Sequence, residues 1–255
     1  MLRAFVIILI SFVAAVSGLA QELRVDAKPD PITFPDWTIV DQGEDVEEFA
    51  VTFPSSVTTS YEENNNVPLR AFVPRNKDNV PVVLVLHYWG ATDQKAEVSL
   101  AQDLAREGVA SVLISLPYHL SRTPKGYRSG DLAIQADPDS LIKTMVQAVQ
   151  DVRRSVDWIE SRSEFDSTKI GIVGISLGAL VTSVAYAVEP RFALASFVLG
   201  GADLAHVVWN SSRVVAERDR LRRAGYTEEK LREAFAPIEP LTYLPNRKST
   251  PTFVV

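Results

Sequence analysis

Five residues near the middle of the chain, Gly174-Ile175-Ser176-Leu177-Gly178, have the types and spacing of a presented nucleophile. A serine hydroxyl attacks a carbonyl only when held clear of its own backbone. A tight turn from strand to helix does this, and the glycines two before and two after the serine let strand and helix close together. The helix that follows points its N-terminus at the serine, which favours developing negative charge. A bare G-x-S-x-G is a weak signal. Here a buried apolar run precedes it and an apolar helix, residues 177–188, follows directly. A second group of interest is His87-Tyr88-Trp89-Gly90, at the end of an earlier apolar run. Attack by a serine creates an oxyanion that needs two N–H donors. One comes from the residue after the nucleophile, Leu177. The other comes from the loop after an earlier strand, where Trp89 is the candidate and Tyr88 the alternative.

The elements that must position these residues read as strand, helix, strand, helix. Residues 47–53 and 68–74 suggest an antiparallel hairpin, with Asn64-Asn65-Asn66 marking its turn. Residues 80–90 and 109–117 are β-branched apolar runs of strands buried on both faces. Helical spacing predicts helices over 95–108 and from Asp139 to about Ile159. Strands are expected at 168–176, 192–201 and, at the end, 249–255. This alternation implies right-handed crossovers and a mostly parallel sheet with helices on both faces, an α/β fold.

These pieces resemble the α/β-hydrolase superfamily, on the side of dienelactone-hydrolase-like, acetyl-xylan-esterase and prolyl-oligopeptidase-type domains. The matching stretches are "PLRAFVP", "VPVVLVLHYWGATD" and "KIGIVGISLGAL". The resemblance covers roughly residues 45 to 255. It implies that His87 supports the loop and is not the base. The family usually has glycine where Tyr88 stands. Its chain order is serine, then acid, then histidine. By that plan residues 249–255 begin the seventh strand, so the usual acid and base are expected beyond Val255. The fold is accordingly expected to lack its last strand or strands and helix, and this chain alone to be unstable and inactive.

Three histidines are present. His119 reads as a loop histidine or a substrate contact, as Tyr88 does. Asp203 is a candidate acid after the sixth strand, with His206 three residues on as an alternative base. Residues 202–248 read as a lid insert, with two charged helices broken at Gly225 and Thr227 capping the second. Trp209, Tyr226, Phe235 and Tyr243 either line it or pack it onto the body. Arg122, Lys125 and Arg128 lie in a loop that either attracts an anion or is simply solvated.

Composition closes off several classes. The chain has 255 residues, a formal net charge of −6 and no cysteine. The charge argues against a nucleic-acid partner. The lack of cysteine excludes disulfides, thiolate metal sites and a cysteine nucleophile. No metal or cofactor is implied. Residues 1–20 have a basic start, an apolar run and small residues at Gly18 and Ala20, the shape of a secretory signal peptide. A membrane partner is expected only if that segment stays uncleaved. Residues 21–45 read as an N-terminal extension and residues 46–255 as the hydrolase domain. The expectation is a secreted or periplasmic serine hydrolase acting on a small-molecule ester. The alternatives are a peptidase of the same fold and a non-catalytic binding protein.

Overall fold

The β-branched runs form the buried centre of one eight-stranded sheet. The computed structural model describes residues 24–248 and 250–255; the expected signal peptide lies outside the described residues. The strands are β1 (Thr38–Gln42), β2 (Val46–Pro54), β3 (Asn66–Pro74), β4 (Val80–Leu86), β5 (Ala110–Ile114), β6 (Phe165–Ile175), β7 (Phe192–Val198) and β8 (Thr252–Val254). Their order across the sheet is β1-β2-β3-β5-β4-β6-β7-β8. The first three strands pair antiparallel, and β3 meets β5 antiparallel. From β5 onward every pairing is parallel. All five residues of β5 are buried, as are Val82, Leu84, Val85 and Leu86 of β4.

Three helices cover the parallel half: α1 (Lys95–Arg106), α2 (Pro138–Glu160) and α3 (Leu177–Val188). Helix α2 starts where Asp137 accepts a hydrogen bond from the Ser140 N–H at 3.0 Å, with Pro138 in its first turn. The proline ring is preset for that position and its missing N–H costs nothing there. The helix buries Val149, Val152, Val156, Trp158 and Ile159 against the sheet. Burying such side chains stabilises by about 1.5–3 kcal/mol each before chain entropy is subtracted.

Between β7 and β8 lie the helices α4 (Leu204–Asn210), α5 (Val215–Arg223), α6 (Glu228–Phe235) and α7 (Pro240–Tyr243). The expected break at Gly225 is present, with φ +84°, and Thr227 caps α6 by accepting from the Lys230 N–H at 3.3 Å. Among the described residues no helix is long and apolar enough to cross a membrane.

Two stretches carry more structure than their sequence shows. Residues 24–42 are not a loose extension. Gln150 of α2 donates to the Arg24 and Ala27 carbonyls, both at 2.7 Å, and Arg154 donates to the Asp30 carbonyl at 2.9 Å. Val25 is fully buried, and β1 adds an edge strand to the sheet. All five β1 residues are exposed, so no alternating pattern announces them. The second concerns Asn64, expected only to mark a turn. It is fully buried, donating to Gln147 Oε1 and accepting from the Tyr118 N–H, both at 2.8 Å.

Candidate active site

Ser176 stands between the end of β6 and the first residue of α3, with φ 53° and ψ −111°. That region is sparsely populated for a residue with a Cβ and costs of order 1–3 kcal/mol. The turn is fixed on both sides. The Ser176 N–H donates to the Val198 carbonyl at 2.8 Å, and its own carbonyl accepts from Ala179 and Leu180 at 2.9 and 3.1 Å. The two motif glycines are forced by contact. A Cβ on Gly174 would overlap the Gly178 carbonyl. A Cβ on Gly178 would lie 2.5 Å from the Leu86 carbonyl oxygen and 2.6 Å from that of His87. Gly178 thus lets the start of α3 rest on the end of β4, the strand that leads into His87, Tyr88 and Trp89.

Those three residues are held by a sewn-down loop. The His87 ring is fully buried: Nδ1–H donates to the Tyr88 carbonyl at 2.8 Å, and Nε2 accepts the Leu116 N–H at 3.0 Å. Burial, with the His119 ring adding to it, pushes the His87 pKa down to about 3, so the ring is neutral. The Trp89 indole N–H donates to the Gly130 carbonyl at 2.9 Å. The Gly130 N–H donates to the Tyr118 carbonyl at 2.8 Å, and the Ser129 hydroxyl to the Ala91 carbonyl at 2.5 Å. The backbone N–H groups of Trp89 and Leu177 donate to no other group among the described residues.

Behind this loop, Arg122 is not a solvated basic residue, as the sequence reading favoured, nor is it open to an anionic substrate. It is fully buried, pairs with Asp151 at 2.8 Å and donates to the Ser115 and Asn64 carbonyls at 3.0 and 2.7 Å.

Two cavities meet at Ser176. One, of about 100 Å³, is walled by apolar side chains including Leu141, Met145, Leu177, Leu180 and Ile238. The other, of about 750 Å³, is a wider cleft bounded by Tyr88, Leu199, Gly200, Gly201 and Ala202. Trp89, Leu180, Val207, Ser211 and Arg213 belong to both. Of the sequence-predicted residues, Ser176, Trp89, Leu177 and Tyr88 are therefore brought together around one space.

His119 is not. It is fully buried, its Nδ1–H donating to the Pro117 carbonyl at 2.8 Å, so it is not a surface for substrate. Asp203 caps α4, accepting the His206 N–H at 3.3 Å, and pairs with Arg232; it lines neither cavity. His206 is engaged with Glu228 at 3.0 Å. Among the described residues nothing hydrogen-bonds the Ser176 hydroxyl. Trp209, Tyr226, Phe235 and Tyr243 pack against the core cluster rather than line either cavity. The residue the sequence reading missed is Arg213, which sits in no motif. Among the described residues no cluster of three or more histidines, cysteines or carboxylates is placed to hold a metal ion.

Comparison with known proteins agrees with this fold. A model of the family "alpha/beta hydrolase domain containing 18" matches residues 20–215, more than half of the chain. No curated protein matches. Among solved structures, an acetyl xylan esterase from Paenibacillus sp. R4 superposes with a TM-score of 0.65 at 16% identity, covering 89% of this chain and 82% of that one. Acetyl xylan esterase 1 from Thermoanaerobacterium sp. JW/SL YS485 gives 0.53 at 12% identity, over 92% and 90% of the two chains. A glucuronoyl esterase from Solibacter usitatus gives 0.54 at 14% identity, over 91% and 70%. At such identities these structures share the fold. The family match covers the elbow, the loop after β4 and every lining residue of the two cavities but Ile238, and on it the chain belongs to the alpha/beta hydrolase domain containing 18 family.

Proposed function

We propose that this protein is an exported serine hydrolase that cleaves carboxylic esters with Ser176 as nucleophile. The observation that carries the reading is the backbone of Ser176. A strained conformation held by two contact-forced glycines, at the floor of two joined cavities, is costly unless it presents the hydroxyl. In this mechanism Ser176 Oγ forms a bond to the acyl carbon, and the bond from that carbon to the alcohol oxygen breaks. The serine proton ends on the departing alcohol. Water then attacks the acyl-enzyme, releasing the acid and restoring the hydroxyl. The N–H groups of Trp89 and Leu177 accept the charge of each tetrahedral intermediate, the role that removing a single donor costs about 10²–10³-fold. Tyr88, 38% exposed at the cleft, contacts the substrate. Export rests on residues 1–20, and sequencing the N-terminus of protein recovered outside the cytoplasm would show Gln21 first if the segment is removed there.

A second reading, a binding protein on this fold, is favoured by one observation: nothing among the described residues hydrogen-bonds the Ser176 hydroxyl. Hydrolysis of 4-nitrophenyl butyrate by wild type and Ser176→Ala separates the two. Loss of that activity in the alanine variant is expected; equal rates in both proteins would refute the nucleophile.

A further inference from the structure

We propose that the substrate is an ester with a short apolar acyl chain and an anionic group on its alcohol side, and that Arg213 selects the anion. This deepens the esterase reading of Ser176 and rests on it.

The two cavities divide the substrate by what each must do in time. The acyl group stays bonded to Ser176 through the second half of the reaction, whereas the alcohol must leave and water must replace it. The narrow cavity suits the group that stays. Its wall is apolar except for Ser176, Ser211 and Arg213, and Leu177, whose N–H faces the developing charge in the proposed mechanism, belongs to it. Its volume of about 100 Å³, against about 750 Å³ for the cleft, suits the smaller of the substrate's two parts. The wide cleft of about 750 Å³ suits the group that leaves.

Arg213 supplies the charge. It is the only ionisable side chain of either sign, apart from Tyr88, in the lining of the two cavities, although the chain carries a net −6. Its neighbours on the insert are mostly paired or engaged: Arg232 binds Asp203 and Glu228, Arg222 binds Asp219, and Arg218 donates to the Trp209 carbonyl. Arg213 differs. Its backbone N–H donates to Ser211 Oγ at 3.1 Å, and its guanidinium has no partner among the described residues. A planar fork of donors facing a cleft with no carboxylate in its wall favours a carboxylate or phosphate over a neutral group. Arg213 and Ser211 line both cavities, but the rest of the narrow wall is apolar and cannot replace the water a charge would lose there, whereas the wide cleft leaves room for it, so the anion belongs on the alcohol side.

The test uses the full chain and three butyrate esters that share an aryl alcohol: 3-butyryloxybenzoate, its neutral methyl ester, and 3-(butyryloxy)phenyl phosphate. Either anionic ester is expected to exceed the neutral one in kcat/KM by about threefold, the weight of one ion pair at an exposed arginine. The larger of the two names carboxylate or phosphate as the source. Arg213→Gln should lower the anionic-to-neutral ratio about threefold, through KM, and Arg213→Lys, which keeps the charge but not the planar fork, should keep part of it. Along an acyl series, butyrate should exceed acetate about tenfold, from two methylenes at about 0.8 kcal/mol each, and octanoate should fall below butyrate. An unchanged ratio in Arg213→Gln, a neutral ester preferred by wild type, or octanoate preferred to butyrate would each overturn the proposal. Calorimetric binding of the amide mimic 3-butanamidobenzoate keeps the two readings apart. If no ester turns over but the mimic binds wild type about threefold tighter than Arg213→Gln, the anion site stands and the esterase reading falls. Equal binding by both proteins removes the anion site whatever the turnover.

Discussion

Lowering the pH from 7.5 to 5.0 tests the loop that holds Trp89, a proposed oxyanion donor. His119 is buried between the Pro117 carbonyl, which takes its Nδ1–H, and the backbone around Gly130. Its Nε2 has no partner. A proton added there would be a buried donor with nothing to accept it, and burial accordingly pushes the pKa from 6.5 down to about 4. Because the folded value lies below the unfolded one, the unfolded chain takes up the proton first. The stability that the neutral ring contributes is fully present above about pH 6.5 and is lost as pH falls towards about 4. With those two values, the loss between pH 7.5 and 5.0 is about 2 kcal/mol, from 1.36 kcal/mol per unit of pKa difference. The carboxylates titrate over the same range, so the measurement is a difference. Urea unfolding of wild type and His119→Gln at both pH values isolates the ring's share. The gap between the two proteins should narrow by about 2 kcal/mol at pH 5.0, in favour of the glutamine variant. A gap that stays constant within about 0.5 kcal/mol would mean that the folded protein holds the ring charged, and the account of the loop would be wrong.

Three substitutions test the remaining architecture. Gly178→Ala puts a methyl 2.5 Å from the Leu86 carbonyl oxygen, so urea unfolding should show a loss of about 1–3 kcal/mol, and ester hydrolysis should fall with it because α3 shifts off the end of β4. Ser176→Gly removes the Cβ that makes φ 53° costly; thermal unfolding should rise, by the part of about 1–3 kcal/mol not offset by a freer unfolded chain, and a lower midpoint would argue against strain at the elbow. Asp151→Asn leaves the Arg122 guanidinium buried without its counter-charge and should cost about 3–5 kcal/mol by denaturant unfolding. A loss below about 1 kcal/mol would show that the carbonyls of Ser115 and Asn64 suffice to hold the arginine.

The parts of this protein that its sequence reveals are those where one residue type is the only one that fits. Gly174 and Gly178 are required by backbone contact, so the elbow announces itself wherever an apolar strand and helix flank it. The central strands are likewise dictated, because burial on both faces leaves no polar position to interrupt Val82 through Leu86. Strand β1 had no such constraint. Its exposed residues owe their pairing to β2, and edge hydrogen bonds leave no mark on side-chain pattern. Charge is the least legible property, because a side chain's type does not say what it will face. Arg122 and Arg213 look alike in sequence, each in a polar stretch between elements. One is sealed against Asp151, which a distant helix supplies; the other faces a cleft that four separate segments enclose. The first loses its charge to structure and the second keeps it available, and only the three-dimensional neighbours distinguish them. This is why the elbow was visible from five residues while the groups that would choose a substrate for the proposed hydrolase were not.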